Sequence, residues 1–232
     1  MLNKVQLVAK QEQIRAFLGP NGAGKTTTFN IIAGVERSNG GEIHLDGEKI
    51  TNLPIHVRAR NGLAYLPQET SLFRGLLVKE NVKVYLNRTA SQKSKKEQVA
   101  RTLQKLNILD VKDRRVGTLS AGQKRKVELA RALVLSPDYF LLDEPFSELD
   151  PQSVKELQEV LTSLKRAESI GIVLSDHRAQ EAISIADYNY LIHKGRIIAE
   201  GTTNDILESE VARKTYLGDG FGTATRPSDQ TS

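Results

Sequence analysis

The stretch Gly19-Pro20-Asn21-Gly22-Ala23-Gly24-Lys25-Thr26 satisfies G-x-x-x-x-G-K-[ST] at every defined position. An apolar run at residues 14–18 precedes it and a helical pattern at residues 25–33 follows, so the motif lies where a strand turns into a helix. Glycines there allow successive backbone N–H groups to curl around an anion with no Cβ in the way. The helix that begins near Lys25 aims the positive end of its dipole at the same point. Lys25 can reach the β- and γ-phosphates, the Thr26 hydroxyl can ligate Mg²⁺, and Thr27 adds a contact to the α-phosphate. A glycine-rich turn that merely capped a helix would require neither Lys nor Thr at those places. The loop therefore predicts a nucleoside triphosphate site.

A second half of such a site lies 118 residues beyond Lys25. Residues 139–142 are all apolar and read as a buried strand that runs into Asp143 and Glu144. Placed next to the phosphate loop, this strand delivers Asp143 to the hydration shell of the metal. Glu144 is then left to polarise the attacking water as general base. Carboxylates at a strand end that simply meet solvent are the plainer reading, and the phosphate loop weighs against it.

Outward from these anchors, strand-length apolar runs alternate with helix-period segments, the pattern of an α/β protein with a largely parallel sheet. Strands are expected at residues 4–8, 14–18, 42–45, 63–66, 139–142 and 170–174. A hairpin is expected from 188–193 and 196–199 around Lys194-Gly195. Helices are expected at 25–33, 78–86, 95–106, 121–135 and 179–185, with a polar loop at 87–94. Pro151 opens a further helix, with Asp150 placed to cap it and Val154, Leu157, Leu161 and Leu164 on one stripe. In the 121–135 segment Val127, Ala130 and Val134 share one face, while Lys124, Arg125, Glu128 and Arg131 share a polar one. Helices dominate residues 72–136, which predicts a helical lobe inserted into a single α/β domain spanning 1–218. Residues 219–232 read as a disordered tail rich in Gly, Thr, Ser and Asp.

The 232 residues carry a formal charge of +5 and no cysteine, which excludes disulfides, thiolate metal sites and a cysteine nucleophile. Apolar runs reach only about four residues against the roughly 20 a bilayer span needs, so a soluble, cytoplasmic protein is expected. The charge is uneven: residues 88–126 hold twelve Lys/Arg against three Asp/Glu. Such a stretch can mark nucleic acid, anionic lipid or phosphate partners, and its plainer reading is a solvated helical face.

Leu119-Ser120-Ala121-Gly122-Gln123, 24 residues ahead of Asp143, resembles the LSGGQ signature of the ATP-binding-cassette ATPases. Four further pieces follow that family's order: Gln68 resembles its Q-loop glutamine, Asp143-Glu144 its strand-end carboxylates, Asp150 its D-loop aspartate and His177 its switch histidine. The resemblance implies a P-loop ATPase fold with a mostly parallel sheet, an N-terminal antiparallel β part and an inserted helical subdomain. It also implies ATP and Mg²⁺ as cofactors. Two copies would sandwich two ATPs head to tail, with Ser120, Gly122, Gln123 and Asp150 of one copy facing nucleotide on the phosphate loop of the other. Gln68 would sense Mg²⁺ and the γ-phosphate, and Glu144 and His177 would act on the attacking water. Asp150 has a second reading, as no more than a helix cap. Three departures stand out. Ala121 replaces the first signature glycine, Ser147-Glu148 replaces the commoner Ser-Ala, and no aromatic precedes Phe17 where the family stacks one on adenine.

Residues 65–69, 71–74, 126–131, 143–146 and 216–219 are similar to the ATPase subunits of lipopolysaccharide-export transporters. That resemblance implies a homodimer on the cytoplasmic face of the bacterial inner membrane, beneath two integral membrane subunits. Phe73 and Arg74 would lie in the groove that receives those subunits, or else Phe73 is ordinary core of the helical lobe. Branched-chain amino-acid importer ATPases are the nearest rival. A soluble cassette protein acting on nucleic acid is a more distant one, and no nucleic acid is expected.

Overall fold

The computed structural model describes residues 2–86 and 91–217, so half of the expected 87–94 loop and the whole 219–232 tail lie outside the described residues. In chain order the elements are β1 (Ile14–Leu18), α1 (Lys25–Ala33), β2 (His44–Leu45), β3 (Glu48–Lys49), α2 (Ile55–Arg60) and β4 (Leu63–Leu66). Next come α3 (Val78–Lys83), α4 (Gln92–Lys105), α5 (Ala121–Leu133), β5 (Tyr139–Asp143), α6 (Pro151–Ala167) and β6 (Gly171–Asp176). The chain continues through α7 (Ala179–Ile183), β7 (Tyr188–His193), β8 (Arg196–Gly201), α8 (Thr203–Glu208) and α9 (Glu210–Ala212), and a π-helical turn, Arg213–Leu217, follows.

Six strands form one sheet in the order β4-β5-β6-β1-β7-β8, parallel except for the β7–β8 hairpin. Alternate residues point to opposite faces of a strand, and here both faces are buried. Ile14, Ala16 and Leu18 of β1, Phe140 and Leu142 of β5, and Ile172 and Leu174 of β6 join one apolar cluster, which also holds residues of α3 to α6. Phe17, Leu141 and Val173 join another, with Phe29 and Ala33 of α1. Burial on both sides is why these strands read as unbroken apolar runs. Between β4 and β5 the helices α3, α4 and α5 pack on one another. None of the described helices is long and apolar enough to cross a membrane.

Several expectations are corrected. Residues 4–8 form no strand. Leu2, Val5, Leu7 and Ala9 do pack on the second cluster, so the alternation was real, but the backbone joins no ladder. The Tyr190 hydroxyl instead donates to the Val8 carbonyl (3.3 Å) and accepts from the Val8 amide (3.2 Å). The antiparallel part is the short β2–β3 pair, where two residues of the expected 42–45 strand are regular. Helix α2, which the sequence reading lacks, is held by Arg58, whose guanidinium donates to the carbonyls of Ile31, Ile32, Thr51 and Leu53.

The polar face expected on α5 is also corrected. Lys124 of that face is only half-buried, whereas Arg125, Glu128 and Arg131, and Lys126 next to them in the chain, are all buried, because α5 is packed against β4, α3, α4 and α6. Each of these buried charges has an internal partner. Lys126 pairs with Glu156 of α6 at 2.7 Å, and Arg131 donates to the Ser71 carbonyl at 2.7 Å.

Candidate nucleotide site

The phosphate-loop residues follow the carboxyl end of β1 and lead into α1. Gly22 and Gly24 adopt φ of 76° and 110°, left-handed values that glycine reaches without a Cβ penalty. Gly19 is fixed for a different reason: a Cβ there would lie 2.2 Å from the carbonyl oxygen of Ile192 in β7. Gly24 caps α1 with no side-chain hydrogen bond, so the first N–H groups of that helix are free for an anion. The Gly195 amide donates to the Ala23 carbonyl at 3.0 Å, which ties the β7–β8 turn to the loop. The buried Lys25 ammonium donates to the carbonyls of Gly19 (2.7 Å) and Pro20 (3.2 Å). Burial draws its pKa below the usual lysine value, against the opposing pull of Glu144, Asp143 and Asp176. Thr26 and Thr27 are exposed on the first turn, beside Pro20 and Asn21 at the rim.

Asp143 ends β5 almost completely buried, but its strand does not adjoin β1, because β6 lies between them. Ser175 of β6 fills the gap, donating its hydroxyl to Asp143 Oδ1. The other oxygen, Oδ2, is buried without a protein partner. A buried carboxylate oxygen left unpaired is costly unless something else coordinates it, so this atom fits a hydrated divalent cation. Helix α1 packs across β5 and β4, which brings the phosphate loop to the same end of the sheet.

The three residues expected at the chemistry converge. Gln68 Nε2 donates to Glu144 Oε2 at 3.1 Å, and His177 Nδ1 lies 3.2 Å from the same oxygen. Glu144 is nearly buried, with a side chain 12% exposed, whereas that of His177 is 45% exposed. Glu144 sits at φ 47°, a left-handed conformation that side-chain-bearing residues rarely adopt and that needs external support. Part of that support is the hydrogen bond from its amide to the Ser175 carbonyl, 2.8 Å.

Two residues to which the sequence assigns no role at the site complete this end. Asp176, fully buried, accepts from the amides of Phe146 (2.9 Å) and Arg178 (2.8 Å) and so pins the loops on both sides. Burial raises its pKa, and those two hydrogen bonds oppose the rise. Tyr216, in the C-terminal turn, donates to the carbonyls of Asp176 (3.3 Å) and His177 (3.2 Å), and burial pushes its pKa up to about 12. Ser175-Asp176 was available to sequence reasoning as polar residues closing an apolar strand. Tyr216 lies in the stretch 216–219 singled out by resemblance, and nothing local ties it to the site.

The signature residues gather elsewhere. Ser120 caps α5 in a reciprocal box: its hydroxyl accepts from the Gln123 amide at 3.2 Å, and Gln123 Oε1 accepts from the Ser120 amide at 3.2 Å. Gly122 is buried against α6, where a Cβ would come within 2.6 Å of Ser153 Oγ. Asp150 caps α6 through the Ser153 amide (3.0 Å) and hydroxyl (2.6 Å), bonds that lower its pKa. These four residues thus share one corner, and no hydrogen bond among the described residues links them to the phosphate loop. Ala121 is exposed, and Ser147-Glu148 lies in the loop ahead of Asp150.

Phe73 is 48% exposed, which overturns the reading of it as core. Its backbone is held by Asn81 at 2.9 and 3.0 Å, and the Arg131 guanidinium lies 5.4 Å above its ring. Arg74 is exposed beside it.

A phosphate loop at the end of a doubly covered, mostly parallel sheet, with a glutamate gripped by Gln68 and a histidine, defines an ATP-binding cassette. The sequence matches the ABC transporter family over residues 2–147, and the chain belongs to that family. Among curated relatives, the lipopolysaccharide export system ATP-binding protein LptB of Haemophilus influenzae is 39% identical over 95% of this chain and 92% of its own length. LptB of Acidithiobacillus ferridurans is 41% identical over 90% of this chain and 87% of its own length. An ATP-binding cassette of an ABC transporter, solved in its ADP conformation, superposes with a TM-score of 0.85 at 25% identity, covering 94% of this chain and 92% of that one.

Proposed function

We propose that this chain is the ATP-hydrolysing subunit of an ABC transporter that exports lipopolysaccharide from the bacterial inner membrane. The observation that carries the hydrolytic role is the meeting of Gln68 and His177 on one oxygen of Glu144, near a lysine whose charge answers to Asp143 and Glu144. Lys25 and the loop amides hold the phosphates of ATP. Glu144 takes the proton of the attacking water, Gln68 and His177 orient it, and His177 also donates toward the γ-phosphate. Thr26, Asp143 and Gln68 are the residues that would hold Mg²⁺, which supplies charge neutralisation of the β- and γ-phosphates.

A second copy completes each site. Ser120, Gly122 and Gln123 occupy a helix N-terminus with, among the described residues, no hydrogen bond to their own phosphate loop, so their donors serve nucleotide bound to the partner copy, with Asp150 beside them at the seam. ATP binds the closed pair more tightly than the open one, and that difference is the work delivered to the membrane subunits. Those subunits dock at the exposed Phe73 and Arg74, next to Gln68. Helices α3 to α5 act as a lobe within the cassette. The chain then works from the cytoplasmic face of the inner membrane.

The choice of lipopolysaccharide as cargo rests on the LptB relatives. Purification of the tagged chain from membranes tests it. Two integral subunits of a lipopolysaccharide exporter are expected to accompany it; subunits of an amino-acid importer, or nucleic acid with no membrane protein, would overturn the assignment.

A further inference from the structure

We infer that Arg125 is a positioning residue for ATP hydrolysis: its single guanidinium fixes both the peptide that carries Gln68 and the peptide that carries Glu144. The inference rests on the hydrolytic reading of those two residues given above.

Arg125 lies one turn into α5, beyond the signature residues, and is 8% exposed. Its Nη1 donates to the Pro67 carbonyl at 3.1 Å and to Glu128 Oε2 at 2.8 Å, and its Nη2 donates to the Asp143 carbonyl at 3.0 Å. Pro67 immediately precedes Gln68, and Asp143 immediately precedes Glu144. The Asp143–Glu144 peptide is therefore held at both polar atoms, its oxygen by Arg125 and its N–H by the Ser175 carbonyl at 2.8 Å. That double grip is what a glutamate at φ 47° requires. Glu128, locked to Arg125, extends the grip to the far side of the Gln68 loop by accepting from the Ser71 amide at 3.3 Å.

A planar, rigid fork suits this task because it can hold two carbonyls and a carboxylate in fixed relative positions. A lysine ammonium has the charge but not the fork. The arrangement also connects the signature helix mechanically to the chemistry. When the N-terminus of α5 engages nucleotide on the partner copy, any rotation of that helix moves Arg125, and with it the 3.1 Å contact between Gln68 and Glu144. Among the described residues no hydrogen bond joins Arg125 to the phosphate loop, so nucleotide binding and hydrolysis should respond differently to its loss.

The test compares Arg125→Met, Arg125→Lys and Lys126→Met in the full chain with its membrane partners, measuring kcat, ATP affinity and melting temperature. Lys126 is a neighbouring buried cation whose pairing with Glu156 is independent of both catalytic loops. Arg125→Met is expected to lower kcat about 100-fold, as for a misplaced reacting group, with ATP affinity nearly unchanged. Arg125→Lys should fall between it and the wild type. Lys126→Met should lose melting temperature but keep kcat. If Arg125→Met does not fold, Arg125→Lys carries the same comparison. The inference is overturned if the Arg125 variants keep wild-type kcat, if affinity falls in step with kcat, or if Lys126→Met loses as much activity. A Glu144→Gln variant that still hydrolysed would instead defeat the parent reading, so the two failures are distinguishable.

Discussion

Glu144→Gln is expected to lower ATP hydrolysis by roughly 10²–10⁴-fold, the usual contribution of a general base, while leaving ATP binding intact. The substitution is nearly isosteric and keeps an oxygen for the Gln68 amide, which now lies 3.1 Å from Glu144 Oε2. It removes the carboxylate at the junction of Gln68 and His177, the group assigned to accept the proton of water. The 12% exposure of its side chain limits the access of bulk water as a substitute base. Backbone geometry should survive, because the two bonds that hold the Asp143–Glu144 peptide, one to the Ser175 carbonyl and one from Arg125, involve only main-chain atoms of residues 143 and 144. Single-turnover and steady-state phosphate release, with nucleotide affinity measured in parallel, check the prediction. Hydrolysis at the wild-type rate would remove Glu144 from its role.

Lys25→Ala is expected to act at the earlier step. A buried ammonium aimed into a loop of backbone amides is the main full positive charge available to the phosphates, and truncating such a charge-assisted contact costs about 2–5 kcal/mol, roughly 30- to several thousand-fold in affinity. Two structural losses accompany it, the hydrogen bonds to the Gly19 and Pro20 carbonyls. Gly19 is buried and Pro20 only partly so, so folding is measured beside affinity. Titration with a fluorescent ATP analogue, with circular dichroism as the control for folding, measures the effect. Affinity close to that of the wild type in a folded variant would contradict the assignment of the loop.

The elements legible in the sequence were those marked by local chemistry. Asp150 and Pro151 announce α6, and the cap is the Asp150–Ser153 pair the spacing implies. Lys25–Ala33 begins where the glycines of the phosphate loop end. What escaped was whatever depends on partners distant in the chain. Alternation at residues 4–8 says which side chains can be buried but not whether a neighbouring strand is within reach, and there the backbone meets the Tyr190 hydroxyl instead. Strand order is equally invisible to periodicity, so the insertion of β6 between β1 and β5 emerged only in three dimensions.

The site divides along the same line. The phosphate loop is contiguous and could be read from residue types alone. Gln68, Glu144 and His177 are separated by 76 and 33 residues and were joined only through family resemblance, which the geometry then gave a physical meaning. Arg125 illustrates the limit most plainly. On a helical wheel it belongs to a charged stripe, and charged stripes usually face water. Here Arg125, Glu128 and Arg131 of that stripe are enclosed, and carbonyls from other segments accept from both arginines.

The proposition that two copies close over shared nucleotide is tested most directly by analytical ultracentrifugation of Glu144→Gln, with and without Mg-ATP. In the sandwich arrangement, nucleotide that cannot be hydrolysed should hold the chain as a dimer, and Ser120→Phe, at the seam, should return it to monomer. A chain that remains monomeric at saturating Mg-ATP, alone and with its membrane subunits supplied, would contradict it.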